Sequence, residues 1–195
     1  GWSGDIGCHI FDAVWKGLGL KAPKSVIAEV QQSWKDSPER RADNWPQSNH
    51  ITWVFPGNEM TEGNEFTIEW FDGEFYPPQE IRSLYSGEYP PESAMVVGTE
   101  GALLIQHGGQ HILLPQEKFK NIKDKNFSER NHYHHFVDDC LGGERTESHF
   151  SQSGPMTEAI LLGTVAIRVP DVLLEWDSAQ LMVTNNSNAN KLLGR

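Results

Sequence analysis

Residues 5–20 carry apolar and polar side chains at the spacing of an amphipathic helix. The apolar positions are Ile6, Ile10, Ala13 and Gly17. The polar positions, at i, i+4, i+7 and i+11, are Asp5, His9, Asp12 and Lys16. The pattern predicts a helix with one side turned to the core and the other free for chemistry, and Gly17 and Gly19 predict its end.

After Pro23 the pattern changes to short runs that are typical of strands. The runs cover residues 25–34, 50–55, 66–71, 94–97, 102–105 and 111–114, and two more follow at 172–176 and 181–184. Glycines at 98 and 101 and at 108 and 109 suit tight hairpins, because glycine tolerates a positive φ. The sequence therefore predicts a largely antiparallel sheet in which sequential strands are neighbours.

The remaining segments divide into loops and helices. Residues 35–49 and 72–93 are polar and predict long loops, and a polar tail covers residues 185–195. Helices are predicted over residues 129–141 and 154–168; the second is apolar almost all round, which indicates burial between the sheet and another layer. The predicted fold class is α+β, an open antiparallel sheet with helices packed on one face, in a single domain over residues 1–195.

The charge of the chain excludes several classes of partner. Its 16 Lys and Arg against 27 Asp and Glu give a net charge of −11, which repels nucleic acid and anionic membranes. The apolar runs are too short to span a bilayer, so we expect a soluble, cytoplasmic protein, or an exported one if a signal precedes Gly1. Because an ordered helix is predicted from the first residues, we expect the chain to begin partway through a larger protein.

The two cysteines are too few for a disulfide framework. Cys8 and Cys140 both lie in predicted helices, and we expect them to be buried thiols. A nucleophilic role for Cys8 is disfavoured, because His9 at i+1 on a helix points in another direction and cannot activate it.

Asp5 and His9 are the first candidates for chemistry. They lie four residues apart on the predicted helix, so the carboxylate can orient the imidazole for acid/base catalysis, although a surface ion pair is the alternative. Gly4 and Gly7 flank them; glycine early in a helix indicates the close approach of either a ligand or another helix. Trp2 precedes the pair, and its indole suits either a sugar ring or packing on the helix end.

A histidine cluster in the predicted helix at 129–141 raises the question of a metal. Its members are His132, His134, His135, Asp138 and Asp139. The two i, i+4 pairs in this set point about 100° apart and cannot converge on one ion, so no metal site is predicted. A solvated helix face is the alternative interpretation.

Four motifs in order along the chain carry a family resemblance. They are GDIGCHIFD at residues 4–12, NHYHHFVD at 131–138, GPMTEA at 154–159 and LEWD at 174–177. Together they resemble the C-terminal half of the glucose-fructose oxidoreductase / inositol dehydrogenase / MocA (Gfo/Idh/MocA) family, and the resemblance covers essentially the whole chain.

The resemblance implies a two-domain dehydrogenase of which this chain is the second part. In that family a Rossmann domain binds NAD or NADP, and a mixed α/β domain contacts the substrate and forms the oligomer interface. The chain contains neither a G-x-G-x-x-G fingerprint nor an E-K-P motif. We therefore expect the cofactor to be bound mainly by an N-terminal domain that is absent from this chain, and the isolated chain to be inactive.

The resemblance also implies roles for particular residues. His9 matches the acid/base for the substrate hydroxyl, Asp5 matches its polar partner, and Asp12 matches the next acidic position. Substrate contacts are expected from Asp12, His132 and Tyr133, together with Trp2. The implied activity is NAD(P)-dependent oxidation of a sugar, polyol or glycoside hydroxyl.

Two alternative functions and the oligomeric state remain open from the sequence. A nicotinamide-dependent glycosidase of the same family is one alternative, and a non-catalytic binding or oligomerisation module is another. We also expect a homo-oligomer formed through the open sheet face, with alternating apolar residues at 51–55 and 66–70 as the contact.

Overall fold

The predicted strands form, but they divide between two antiparallel sheets instead of one. The computed structural model describes residues 1–123, 125 and 127–194. The strands are β1 Ser25–Val30, β2 Asn49–Pro56, β3 Glu65–Asp72, β4 Ser93–Val97, β5 Ala102–Gln106, β6 Ile112–Leu114, β7 Leu174–Asp177 and β8 Met182–Val183. A five-stranded sheet has the order β3-β2-β1-β7-β8, and a three-stranded sheet has the order β4-β5-β6. Sequential strands are neighbours within each sheet, as predicted, but β3 and β4, and likewise β6 and β7, lie in different sheets, and β7 pairs with β1.

Two of the predicted helices have different bounds in the structure. The helices are α1 Trp2–Asp5, α2 Gly7–Gly17, α3 Gln32–Lys35, α4 Pro38–Asp43, α5 Gln79–Arg82, α6 Gln116–Phe119, α7 His132–Cys140, α8 Phe150–Arg168 and α9 Ser187–Asn190. The single helix predicted from residue 5 is wrong in its start, because α1 already begins at Trp2 and Ile6 separates it from α2. Helix α8 begins four residues before the predicted start, so that Pro155 lies inside it.

The main core lies between the five-stranded sheet and the helices on one of its faces. Helix α8 packs on β1 and β2, and α2 packs on α8 and reaches β2 through aromatic contacts. The indole N–H of Trp53 donates to the carbonyl oxygen of Ala159 at 2.9 Å, which fixes β2 to α8. This arrangement confirms the α+β class, the layer of helices on one face and the burial of α8.

The buried side of α2 is the predicted one only in part, since Ile10 is buried and Ile6 half-buried. Its core contacts come from Phe11 and Trp15, whose rings meet the aromatic side chains of β2, whereas Ala13 and Gly17 are exposed. The large aromatic side chains gain more from burial than small residues do, and they set the rotation of the helix. The predicted polar stripe of the helix is exposed throughout.

The strand predicted over residues 25–34 is too long. The chain leaves the sheet at Gln31, and Trp34 lies in α3, where it is fully buried and donates from its indole N–H to the carbonyl oxygen of Asn44. The guanidinium of Arg168 covers its ring at 5.6 Å. A buried tryptophan with a satisfied N–H thus anchors the start of the first predicted loop, which also contains α4.

The apolar residues expected to form an oligomer contact face the core instead. Ile51, Trp53 and Phe55 are buried beneath the helices, and their partners on β3 pack against the same core. The opposite face of β2 presents His50 and other half-buried side chains. The alternating apolar residues of β2 therefore form the inner face of the sheet, since successive strand residues point to opposite sides.

The prediction of buried thiols is also wrong. Cys8 and Cys140 are both free and exposed, because each lies on the solvent side of its helix. Within the described part of the chain, no helix combines the length and the hydrophobicity needed to cross a membrane.

Candidate functional site

His9 lies near the start of α2, on the exposed stripe that the sequence predicts. Helix α2 contacts β4 and β5, and this packing brings the His9 ring against that of His107. The two ring centroids are 4.9 Å apart and the planes are inclined by 33°. The structure therefore pairs His9 with a second imidazole that follows β5.

Asp5 does not complete the pair predicted with His9. Over the described residues, no hydrogen bond or salt bridge joins the two side chains, and the contact made by Asp5 is a weak one from the Cys8 thiol to its carbonyl oxygen. Both residues remain exposed and adjacent on the helix surface. The structure thus leaves the predicted partnership unformed.

A carboxylate meets the second imidazole instead. Glu92 Oε2 lies 3.1 Å from His107 Nδ1, and the backbone N–H of His107 donates to the carbonyl oxygen of Glu92 at 2.9 Å. Ser93 pairs with Gln106, so Glu92 and His107 are the next two residues along the same antiparallel ladder. The β4–β5 hairpin therefore holds the two side chains face to face.

An aromatic-lined cleft of about 720 Å³ has Glu92 in its wall, whereas His9 and His107 are not among the described residues that line it and lie next to that wall. It lies between the outer strand β3, the α1–α2 segment and β4. Its walls include Trp2, Phe66, Trp70, Tyr76, Tyr89 and Glu92. Trp2 is 52% exposed and lines the cleft, so its indole is accessible there, and its contact with a substrate stays a prediction.

Asp72 supplies a carboxylate to the same cleft. It accepts hydrogen bonds from the Trp70 indole N–H at 2.8 Å and from the backbone N–H of Asn49 at 2.6 Å. Burial raises the pKa of Asp72, and these N–H donors partly offset that rise. Asp72 therefore fixes the ring of Trp70 in the cleft wall.

Asp12, predicted to contact the substrate, is turned away from the cleft. It accepts a hydrogen bond from the side-chain amide of Gln152 at 3.4 Å, and Lys16, one turn later, pairs with Glu147. Asp12 and Lys16, at the C-terminal end of the polar stripe, thus contact the start of α8 and the segment before it. Asp5 and His9 form the N-terminal end of the stripe, outside these contacts.

His132 and Tyr133 lie at the start of α7, apart from the cleft. Their rings meet edge to face at 5.4 Å, and Tyr133 is 77% exposed. Among the described residues, neither makes a hydrogen bond, salt bridge or ring contact with His9 or with a cleft residue. The structure does not bring the predicted substrate-binding residues of α7 together with those of α1 and α2.

His134 and His135 of α7 border a shallow concavity of about 730 Å³. Arg130 spans it, with one guanidinium nitrogen 3.1 Å from His135 Nε2 and another donating to Glu144 at 2.5 Å. In residues 1–123, 125 and 127–194, no group of three or more His, Cys, Asp or Glu side chains is arranged to hold a metal ion.

A nicotinamide dinucleotide does not fit the described residues. Dinucleotide sites of the Rossmann type need parallel strands with a glycine-rich turn at a helix N-terminus, where backbone N–H groups bind the pyrophosphate. The strand pairings here are antiparallel, and the sequence has no G-x-G-x-x-G. A cofactor of this kind would have to be held outside this chain.

Comparison with protein-family models, with curated proteins and with solved structures found no match for this chain.

Sequence reasoning missed Glu92 and His107. The signal was present in the hairpin, because extending the predicted pairing of residues 94–97 with 102–105 by two positions sets residue 92 opposite 107. What the sequence could not show is the packing of α2 against this hairpin, which depends on contacts between residues about 100 positions apart.

Proposed function

We propose that this chain is the substrate-binding and acid/base domain of an NAD(P)-dependent oxidoreductase that acts on a sugar, polyol or glycoside hydroxyl. The observation that carries the proposal is the His9–His107 imidazole pair beside an aromatic-lined cleft. The four motifs that resemble the Gfo/Idh/MocA family support it.

The cleft suits a small polyol in its size and lining. Binding sites for small molecules are concave and mostly apolar, with a few polar groups that fix orientation. Here the indoles of Trp2 and Trp70 offer flat apolar faces, and Glu92 and Asp72 offer carboxylate oxygens to hydroxyl groups. A sugar ring has both kinds of surface, since its C–H groups stack on aromatic rings and its hydroxyls donate hydrogen bonds.

The part of this chain in the oxidation is to move a proton. His9 is exposed near the N-terminal end of the polar stripe. A neutral imidazole can accept the proton of a hydroxyl as the carbon is oxidised. NAD(P)⁺ would accept the hydride from that carbon, and a second domain or subunit would hold it.

His9→Ala tests the assignment in the protein that contains both this domain and its cofactor partner. We expect kcat for polyol oxidation to fall by about 100-fold or more, because general acid/base catalysis contributes factors of this size. The control is His111→Ala, which removes an exposed imidazole that, within the described residues, makes no ring contact or side-chain hydrogen bond with His9, His107 or Glu92 and should leave kcat unchanged. Undiminished turnover by the His9 variant would contradict the assignment.

A binding experiment on the chain itself tests the cleft. Titration with myo-inositol, glucose and methyl glucoside should quench or shift the tryptophan fluorescence, since Trp2 and Trp70 line the cleft, and Trp2→Ala should weaken the response. We expect a Kd of about 1 mM, which is typical of a ligand with few contacts. A response unchanged by Trp2→Ala would place the ligand elsewhere.

The two alternatives give different products. A nicotinamide-dependent glycosidase would release the aglycone from a nitrophenyl glycoside without net reduction of the nicotinamide, whereas a dehydrogenase would accumulate the reduced form. A non-catalytic module would bind the sugar and show neither reaction.

A further inference from the structure

The Glu92–His107 contact fixes which nitrogen of His107 carries the proton. An ionised carboxylate can only accept hydrogen bonds, so the 3.1 Å contact requires that Nδ1 of His107 be the donor. In a neutral imidazole the other nitrogen, Nε2, is then unprotonated and has a lone pair available. A carboxylate that orients a histidine in this way is the arrangement found in general bases.

The backbone of Glu92 adopts an unfavourable conformation at this contact. Glu92 has a φ of 51°, in the left-handed region that non-glycine residues seldom occupy. Such conformations persist where the surrounding structure enforces them, and they are concentrated at functional sites. At Glu92 the conformation coincides with two hydrogen bonds to one residue, through the carboxylate and through the carbonyl oxygen.

The pair lies at the edge of the candidate cleft. Glu92 lines the cleft, whereas His107 stands behind it, hydrogen-bonded to Glu92 and packed against His9. The side chains are partly open to solvent, at 36% for His107 and 41% for Glu92, so a ligand can reach them. No comparable carboxylate contact orients His9 among the described residues.

We propose that Glu92 and His107 form a second proton-accepting group at the edge of the cleft, with His107 as the group that receives the proton from His9 and Glu92 as the residue that positions His107. His9 takes the proton as the O–H bond of the substrate hydroxyl breaks, passes it to Nε2 of the adjacent His107 and returns to its neutral form, and Glu92 stabilises the resulting His107 imidazolium through Nδ1–H. This inference rests on the proposed function for the identity of the substrate. The tautomer of His107 and its orientation by Glu92 do not depend on it.

The tautomer is measurable in the chain alone. Long-range proton–nitrogen NMR correlations at about pH 8, where free imidazole is neutral, should show His107 as the Nδ1–H form. In Glu92→Gln this preference should be lost, while His111, the control, should be unchanged. An Nε2–H form of His107 in the wild type, or a preference that Glu92→Gln leaves intact, overturns the pair.

Chemical reactivity gives a second measure that is independent of turnover. Diethyl pyrocarbonate modifies unprotonated imidazole nitrogens, so at about pH 8 His107 should react at least about threefold faster in the wild type, where Nδ1–H leaves Nε2 unprotonated, than in Glu92→Gln, whose amide can instead donate to Nδ1. His111 should react equally in both proteins. Equal rates at His107 overturn the role of Glu92.

Turnover then separates this inference from the proposed function. With the cofactor partner present, His107→Gln should lower kcat by about 100-fold with little change in KM, and Glu92→Asp should retain more activity than Glu92→Gln. Full turnover by His107→Gln overturns the proton-accepting role of His107 but leaves the oxidoreductase assignment standing. A wild type that oxidises no polyol, yet shows the tautomer and the reactivity, overturns the proposed function and the proton-accepting role of His107, while the oriented imidazole remains.

Discussion

Gly163, in the middle of α8, is the residue at which the packing of helix on sheet is tightest. A Cβ at this position would overlap the indole of Trp53, with Cε2 about 3.1 Å away and Cζ2 closer still. The indole cannot move freely, because its N–H is bound to Ala159 one turn earlier in the same helix. Glycine at 163 therefore allows β2 and α8 to approach each other.

Gly163→Ala should destabilise the protein by about 1–3 kcal/mol, because overpacking forces side chains or backbone to shift. The control is Gly17→Ala in α2, where a Cβ meets nothing within 4 Å. That change should stabilise the protein by up to about 1 kcal/mol through helix propensity. Urea unfolding followed by tryptophan fluorescence measures both; equal effects of the two changes would contradict this account of the packing.

Other single residues show where sequence reasoning succeeds and where it stops. Gly7 was interpreted as a sign of either a ligand or a packed helix, and a Cβ there would lie 3.3 Å from Ile160, so helix packing explains it. The exposure of Cys8 and Cys140 was not predicted. Membership of a helix does not tell which side of that helix faces solvent, and the large aromatic residues Phe11 and Trp15 decide that for α2.

At the scale of an element, Asp139 near the end of α7 holds the segment that follows the helix. Its carboxylate accepts from the backbone N–H of Thr146 at 2.8 Å and from its hydroxyl at 3.0 Å. These hydrogen bonds hold the pKa of Asp139 below its ordinary value of 3.8. The ionised form therefore stabilises the folded segment above pH 3.8, and this stabilisation is lost as the pH falls through the lower folded pKa.

Amide hydrogen exchange at Thr146 tests this contact. Asp139→Ala should speed the exchange by about fivefold, the factor expected for the loss of one hydrogen bond. Asp138→Ala is the control, because the contacts of Asp138 with this segment come from its carbonyl oxygen and not its side chain. In the wild type, the Thr146 amide resonance should titrate with a midpoint below 3.8. A midpoint above that value would exclude the proposed hydrogen bonds.

The elements themselves follow from local pattern to different degrees. The alternation in β2 and β3 and the glycines of the β4–β5 hairpin predict strands that form at nearly the expected residues. Trp34 and the residues before it also fit a strand pattern, yet the chain turns at Gln31 into α3. The burial of Trp34 under Arg168 is a contact between distant parts of the chain, and local pattern carries no information about it.

At the scale of the whole molecule, the division into two sheets creates the cleft. Strand β3 ends the five-stranded sheet, and β4 belongs to the three-stranded one, so the cleft opens between them instead of being closed by strand pairing. The sequence predicts the strands but not this division, because strand spacing does not state which strands pair. Of the candidate site, the sequence singles out His9 and Trp2, whose roles stay predictions, and it does not single out Glu92 and His107.

The outer face of the five-stranded sheet bears on how the molecule associates. Cross-strand pairs place Ile27, Thr52 and Glu69 in one row and Ser25, Val54 and Thr67 in the next, on the side opposite the helices. His50 in the third row lies between Glu29 and Glu69, at 3.2 and 3.0 Å. This face is less apolar than the sequence prediction assumed, yet Ile27 and Val54 offer half-exposed apolar surface at its centre.

We expect this face to join two copies of the chain, and Val54→Arg to shift sedimentation from dimer to monomer, since an unpaired charge buried in an interface is strongly unfavourable. The control, Leu161→Arg, places the same charge on an exposed position of α8 and should leave the dimer intact. With a net charge of −11 on each copy, association should strengthen as salt screens the repulsion. A wild type that sediments as a monomer at every concentration and salt level would rule out the dimer, and a dimer broken only by Leu161→Arg would place the contact on the helix side.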